Sequence, residues 1–455
     1  MTTGRLSQAV VIGGSMAGLF AASATAAAGL ATTILERDSL PSAPRSRKGV
    51  PQDRQAHVLL HRGLVAAEDL LPGLRADLIQ HGGVEFDTGA MPWLGEYGWL
   101  PTWIPGFEFI STTRPLLEHI VRSRVRALQE VVIQDGVQVR ELRRSGGGWR
   151  VVCTDSTVVE ADLVIDASGR SSRLPRWLAA LGYPVAKPQI VDAHIGYACR
   201  LCQATRQVPI STAIMVAATP ETPTSGLALP VENDQWLIVA TGYGDHRPPR
   251  EPELFESFLS GLRDPAIADL LHLLQPVGDI AIHRQTGNRR YRYGHSSRWP
   301  EGLLVVGDAY CAFNPVFGQG ITVAACQALI IRDALARHGH LHATQLQRRI
   351  GAVADLPWSI ATAEDLRQPS SAGRQSLSQR LFGLWSAELA RLATHGDVRA
   401  YRTFARVYHL IAGPALLFHP ALFLSAARSA LLSRPQTSPR PDVLNALSPA
   451  HARPS

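Results

Sequence analysis

The sequence predicts an α/β protein in which a doubly wound, parallel-sheet nucleotide domain is interleaved with an antiparallel-sheet domain and followed by a helical C-terminal region. Three observations predict it. Ala9 to Arg37 reads as strand, tight turn, helix and strand; long alternating segments fill the middle of the chain; and the last third is mainly helical. With 455 residues and 45% apolar content the chain can bury a large core, and it exceeds the usual single-domain size.

Val10, Val11 and Ile12 form the apolar run of a buried parallel strand. Gly13 and Gly14 permit a sharp turn, and Gly18 lets the Ala-rich helix from about Ala17 to Ala28 pack close to the strand. The first amides of that helix suit a pyrophosphate. Ser15 stands at the middle glycine of G-x-G-x-x-G and is small enough to hinder the backbone's approach to phosphate only slightly. Gly29 stops the helix, Ala31 to Leu35 is the second strand, and Glu36 at its carboxyl end is placed to grip a ribose hydroxyl.

A Pro-, Ser- and Arg-rich loop then leads into a helix expected near Gln55, with Arg47, Lys48, Gln52, Arg54 and His57 concentrated where a cofactor tail passes. Trp93, Tyr97, Trp99, Trp103, Phe107 and Phe109 follow within a short span. Their alternation suits strands with one aromatic face, either a wall of an apolar substrate pocket or ordinary sheet core. Arg114 opens an amphipathic helix with Pro115 in its first turn. Val-rich strands come next, with a hairpin turn at 146–148, and the strand ending at Ile165 runs into DASGRSSRLPRWL.

From about Tyr183 to Arg292 the alternating segments read as the antiparallel sheet, turning at Glu232 to Asp234. Leu303 to Val306 returns the chain to the nucleotide domain. Gly307 and Asp308 end that strand and a Pro- and Gly-rich loop leads to a helix near Gly320, so Asp308 faces the crevice where such folds bind ligands. The expected division is 1–80, 111–182 and 293–335 for the nucleotide domain, 81–110 and 183–292 for the substrate domain, 336–433 for the helical region and 434–455 for a disordered tail.

Net charge is +7, but the arginines are dispersed and no long basic run suggests a nucleic-acid partner. MTTGRLSQAVVIGG runs directly into the first strand, so a cytoplasmic protein without a secretion signal is expected. Pro414, His419, Pro420 and Arg428 interrupt the apolar C-terminal stretch, which limits any membrane contact to a peripheral one. Five cysteines do not suit a disulfide framework. Cys199 and Cys202 form a C-x-x-C without a second pair or a histidine cluster, so no metal site is expected.

GGSMAG followed by LER, DASGRSSRLPRWL, and VVGDAYCAFNPVFGQGITVA together resemble the aromatic-hydroxylase-like, group A class of FAD-dependent monooxygenases over residues 8 to 335. GVPQDRQAHVLL, the NRRYRYGHSSRWPEGLLVVGDA run and the helical C-terminal third look most like the bacterial olefin epoxidases of polyether biosynthesis, relatives of squalene epoxidase. The resemblance implies a Rossmann-like FAD-binding domain. By it, Gly13, Gly14, Ser15, Ala17 and Gly18 hold the pyrophosphate and Glu36, flanked by Arg37, the adenosine ribose. Arg47, Lys48 and Arg114 contact phosphate or ribityl groups, Val137 meets adenine through its backbone, and Asp308 binds the ribityl or pyrophosphate region. Gly318, Gly320 and Ile321 bring amides to the flavin.

It further implies electrons from NAD(P)H, directly or through a separate flavin reductase, and O2 captured as a flavin C4a-hydroperoxide that epoxidises an alkene of an apolar polyketide or isoprenoid in secondary metabolism. The candidate substrate pocket is Gln52, His57, Trp93, Tyr97, Trp99, Trp103, Pro315 and Phe317, with no single catalytic acid or base required. Aromatic hydroxylation, with His57 as base, is the nearest alternative. A prenyl reductase and a non-catalytic prenyl-binding escort protein are the others. A halogenase is disfavoured because Leu100 and Thr102 stand where W-x-W-x-I-P needs tryptophans before Ile104 and Pro105. The middle motif departs from D-G-x-x-S-x-x-R, with Ser168, Gly169, Ser172 and Pro175 at its positions and Arg176 one place late.

Overall fold

The computed structural model describes residues 6–50, 52–205, 208, 213–296, 298–337, 342–431 and 438–447. Its centre is a five-stranded parallel sheet in the order Leu303–Val305, Leu163–Asp166, Gln8–Ile12, Ala31–Leu35, Val131–Gln134. The strands Leu303–Val305 and Leu163–Asp166 are wholly buried and Gln8–Ile12 is buried after its first residue, as inner parallel strands require, whereas the edge strand Val131–Gln134 exposes Val132 and Gln134. Val11 pairs with Ile165 on one side and Ile34 on the other, so the two glycine-rich turns leave the sheet side by side at its carboxyl edge.

The helix Met16–Ala27 covers one face of this sheet. Its alanines keep it low: a Cβ added at Gly18 would overlap the Gly13 carbonyl oxygen and stand 2.9 Å from the carbonyl carbon. The helices Arg114–Arg126 and Gly320–Arg337 pack beside it in the same core.

A second sheet of seven strands runs Leu274–His283, Ile195–Ala204, Gln235–Tyr243, Thr224–Val231, Ile214–Val216, Trp93–Gly95, Gly98–Trp99. It is antiparallel except where Ile214–Val216 pairs in parallel with Trp93–Gly95. Asn233 and Asp234 take positive φ in the turn joining two of its strands. On strand Ile195–Ala204, residues three apart point to opposite faces, which places Cys199 in one core and Cys202 in another. The observed architecture is therefore the α/β class expected, a parallel-sheet domain, a mainly antiparallel sheet and a helical C-terminal region.

Two expectations are corrected. The helix expected near Gln55 begins instead at His61. Residues 56–60 have no regular secondary structure and run between two cavities, with His57 lining one, Leu60 the other, and Ala56 and Val58 both. The tail expected to be disordered from 434 is packed over 438–447. Leu444 and Leu447 are buried in the core behind the seven-stranded sheet, Ser438 bridges to Trp99, and Arg440 donates to Asp264 at 2.9 Å. Residues 432–437 and 448–455 lie outside the described residues.

Candidate active site

A crevice of about 420 Å³ opens at the carboxyl edge of the parallel sheet, where the turns after Ile12, Leu35, Asp166 and Val305 converge. Of the residues singled out from the sequence, Gly13, Ser15, Ala17, Glu36, Arg37, Arg47, Lys48, Arg114, Val137, Asp308, Gly318, Gly320 and Ile321 all line it, as do Gln52, His57 and Pro315. Gly14 and Gly18 do not. The Gly14 amide donates to Glu36 Oε2 at 2.7 Å, and Gly18 lies beneath the turn against Gly13. The Val137 amide is likewise engaged, donating to the Glu36 carbonyl oxygen at 2.8 Å.

The crevice lining interleaves arginines with the carboxylates Glu36 and Asp308. Glu118 sits under the turn as the hub of an arginine cluster, accepting from Arg47 Nε at 2.8 Å, from Arg114 Nη2 at 2.9 Å and from the Ser15 hydroxyl at 2.7 Å. Burial by itself would raise its carboxyl, but Arg114 and Arg47 outweigh burial and hold it below the usual carboxylate range. Burial depresses the Arg114 guanidinium, and Arg47 beside it adds to the effect. Of the lining carboxylates, Glu36 lies 3.4 Å from Arg47 Nη1, and Asp308 faces Arg170 Nε at 3.5 Å.

These residues fit a dinucleotide. Arg47 Nη2, Arg114 Nη1 and both amide atoms of Gln319 are buried without a hydrogen-bond partner, and all three side chains line the crevice. No side chain caps the helix Met16–Ala27, so its first amides are open to an anion. Gly13, at φ 104°, brings backbone to the floor where a Cβ would stand 2.6 Å from the Ala167 carbonyl oxygen. Arg170 was missed from the sequence, and Gln319 falls inside the stretch 318–321 expected at the flavin, but its side chain was not singled out. Arg170 had a signal, following the glycine of the central turn; its guanidinium donates to the Phe313 carbonyl oxygen at 2.6 Å and to that of Gly287 at 2.8 Å.

A second cavity, of about 140 Å³ and mainly apolar, adjoins the first. Ala56, Val58 and Pro315 line both, so the segment 56–60 and the loop from Asn314 to Gly318 form the shared wall. Met215, Leu227 and Leu229 from the seven-stranded sheet make one side. The helix Val398–Tyr408 makes the other through Tyr401, Phe404 and Tyr408. Trp93 lines this chamber and meets Tyr408 edge to face at 5.8 Å.

The other aromatics expected there are placed differently. Trp99 is buried in the core on the far side of the sheet, Trp103 is 66% exposed at the surface, and Tyr97 hydrogen-bonds Glu96 outside both cavities. Neighbouring residues on a strand face opposite sides, and the strands here are only three and two residues long, so the aromatic alternation does not build one wall. Phe317 lines neither cavity. The chamber helix carried a signal that was not used, since Tyr401, Phe404 and Tyr408 recur at helical spacing.

Three histidines border these spaces, His57 and His283 in the crevice and His409 in the chamber, and burial pushes each below its ordinary value. His57 donates from Nδ1 to the Gln55 carbonyl oxygen at 2.9 Å; burial, aided by Arg114, pushes it down to about 3, which makes it a poor base. His409 lines the apolar chamber, accepts the His61 amide at Nδ1, and is pushed down to about 4 by burial and by His61. Behind the shared wall, buried Asp365 accepts from Asn314 Nδ2 at 2.8 Å and Asn288 Nδ2 at 2.6 Å. Asn314 Oδ1 in turn accepts from the Tyr197 hydroxyl at 2.9 Å, tying the loop to the chamber. Burial raises Asp365 to about 7, against those two hydrogen bonds.

This is the fold of the FAD-dependent monooxygenases. A probable FAD-dependent monooxygenase of Pseudomonas aeruginosa, PqsL, superposes with a TM-score of 0.57 over 79% of this chain and 97% of its own at 15% identity. In sequence, the 6-methylpretetramide 4-monooxygenase of Streptomyces rimosus is 26% identical over 346 residues, 72% of this chain and 73% of that protein. No family model matches. The chain belongs to the same family as Protein Rv3254 of Mycobacterium tuberculosis, to which it is 33% identical over 390 residues, 79% of this chain and 82% of that one.

Proposed function

We propose that the protein is an FAD-dependent monooxygenase that adds one oxygen atom from O2 to an apolar substrate seated in the chamber, with epoxidation of an alkene as its reaction. The observation that carries this reading is the shared wall. A dinucleotide crevice and an apolar chamber meet at Ala56, Val58 and Pro315, so a substrate in one adjoins a cofactor in the other. FAD, when bound, supplies the electron transfer and the activation of O2.

The residues have distinct tasks in this reading. Arg47, Arg114 and the open amides of the first helix hold the phosphates, while Glu36 takes the ribose. Asn314, anchored by Asp365 and Asn288, fixes the wall that separates cofactor from substrate. Tyr401, Phe404 and Tyr408 close the chamber against water. Among the described residues no carboxylate or lysine lines the chamber, and the one histidine that does is held near 4, which favours epoxidation, a reaction that removes no proton from carbon. Electrons come from NAD(P)H or from a separate flavin reductase.

Aerobic turnover under isotopically labelled O2 with polyene, prenyl and phenolic compounds tests the reading. One labelled oxygen on an alkene with every carbon-bound hydrogen retained is the expected product. Labelled oxygen on a ring would reassign the reaction to aromatic hydroxylation. Two added hydrogens without label, or no flavin-dependent turnover, would overturn it.

A further inference from the structure

We propose that the C-terminal helical layer is a docking face for the surface of an anionic phospholipid membrane, on which the protein lies without crossing it. Of the seventeen exposed large apolar side chains among the described residues, seven fall between 377 and 431, so their exposure is concentrated in one layer. On the helix Leu377–Thr394, Leu377, Leu381 and Leu384 recur at i, i+4 and i+7, a stripe turned to solvent with Leu384 70% exposed. On the helix Pro420–Leu431, Leu424 and Leu431 repeat the pattern at 70% and 86% exposure.

The two stripes belong to one surface. Trp385 stacks on Phe423 at 4.2 Å and Phe382 meets Phe418 at 6.2 Å, which holds the helices side by side. An amphipathic helix normally turns such a stripe inward, and here each helix has a second apolar side already buried, through Leu389 and Leu392 on one and Leu422 on the other.

Charge selects the occupant. Arg374, Arg380, Arg399, Arg402, Arg406 and Arg428 are exposed, and none has a carboxylate partner among the described residues. The acids of the layer are already engaged: Glu388 pairs with Arg391 at 2.6 Å and Asp397 caps the next helix by accepting the Ala400 amide. Arg380 precedes Leu384 by four residues and Arg428 follows Leu424 by four, so each arginine shares a face with a stripe. A second copy related by a two-fold axis would set these cations against their own kind. An anionic headgroup layer would accept the arginines while its acyl boundary took the leucines. No helix among the described residues is long and apolar enough to cross a membrane, so the helices lie in the interface. The chamber helix Val398–Tyr408 is part of the same layer, which brings the apolar chamber close to the lipid.

The test uses the full-length, flavin-loaded protein and flotation with vesicles of phosphatidylcholine alone or mixed with phosphatidylglycerol. At least about tenfold tighter partitioning to the mixed vesicles is expected, weakening as salt rises. A triple variant, Leu381→Glu, Leu384→Glu and Leu424→Glu, is expected to lose it while keeping its flavin and chain dispersion. Arg380→Glu with Arg428→Glu, at sites that bury nothing, is expected to lose about tenfold. Equal binding to the two vesicle types, or binding indifferent to both variants, overturns the proposal. So does a concentration-dependent dimer that the triple variant abolishes. The readout is lipid partitioning, so it stands apart from whether the reaction is epoxidation.

Discussion

Replacing Gly18 by Ala separates the contribution of the glycine-rich turn from that of helix propensity. Gly18 lies inside the helix Met16–Ala27 with ordinary helical backbone, so alanine should favour the helix by about 1 kcal/mol. The new methyl, however, overlaps the Gly13 carbonyl oxygen and lies 3.4 Å from Val11 Cγ1, and the obstacle is backbone that cannot rotate aside. Overpacking of this kind costs about 3 kcal/mol, so Gly18→Ala is expected to be about 2 kcal/mol less stable despite better propensity. The displaced helix also carries the amides aimed at the crevice, so flavin affinity falls with stability. Gly29→Ala is the control. Its Cβ meets nothing within 4 Å, and its φ of 78° costs about 1 kcal/mol without touching the crevice. Urea denaturation and flavin titration of both variants measure the difference. A Gly18→Ala protein with native stability and flavin affinity would refute the close-packing argument.

Asp365→Ala strands the buried amides of Asn288 and Asn314 and is expected to cost about 3 kcal/mol, with looser flavin binding, by denaturation and titration. His409 is buried at 4% exposure and keeps its neutral form down to about 4, against an ordinary value of 6.5. As pH falls through that window the unfolded chain takes a proton that the folded chain refuses, so stability drops by up to about 3 kcal/mol. His409→Asn should flatten this part of the stability profile. Glu118→Gln removes the anion shared by buried Arg114 and Arg122 and is expected to cost about 3 kcal/mol, seen in urea denaturation at neutral pH. Phe404→Ala enlarges the apolar chamber, and its expected effect is a roughly tenfold rise in KM for an apolar substrate with flavin affinity unchanged.

Much of the crevice was legible because its signals are local. A glycine run between an apolar strand and an alanine-rich helix dictates the turn, and an acid one strand later arrives at the same edge because parallel strands repeat direction. The chamber was less legible. Trp93, Trp99 and Trp103 carry the same sequence signal, yet one lines the chamber, one is core and one is exposed. Which it is depends on what packs against each.

The sequence by itself determined the α/β class, the dinucleotide turn and the acidic, cationic and glycine-rich residues that converge on it, since these follow from backbone conformation and residue chemistry over short spans. Only the tertiary structure decided where the apolar chamber lies and which aromatics wall it. Trp93 meets Tyr408 across more than three hundred residues of chain, and burial is a property of such distant partners and not of the side chain alone.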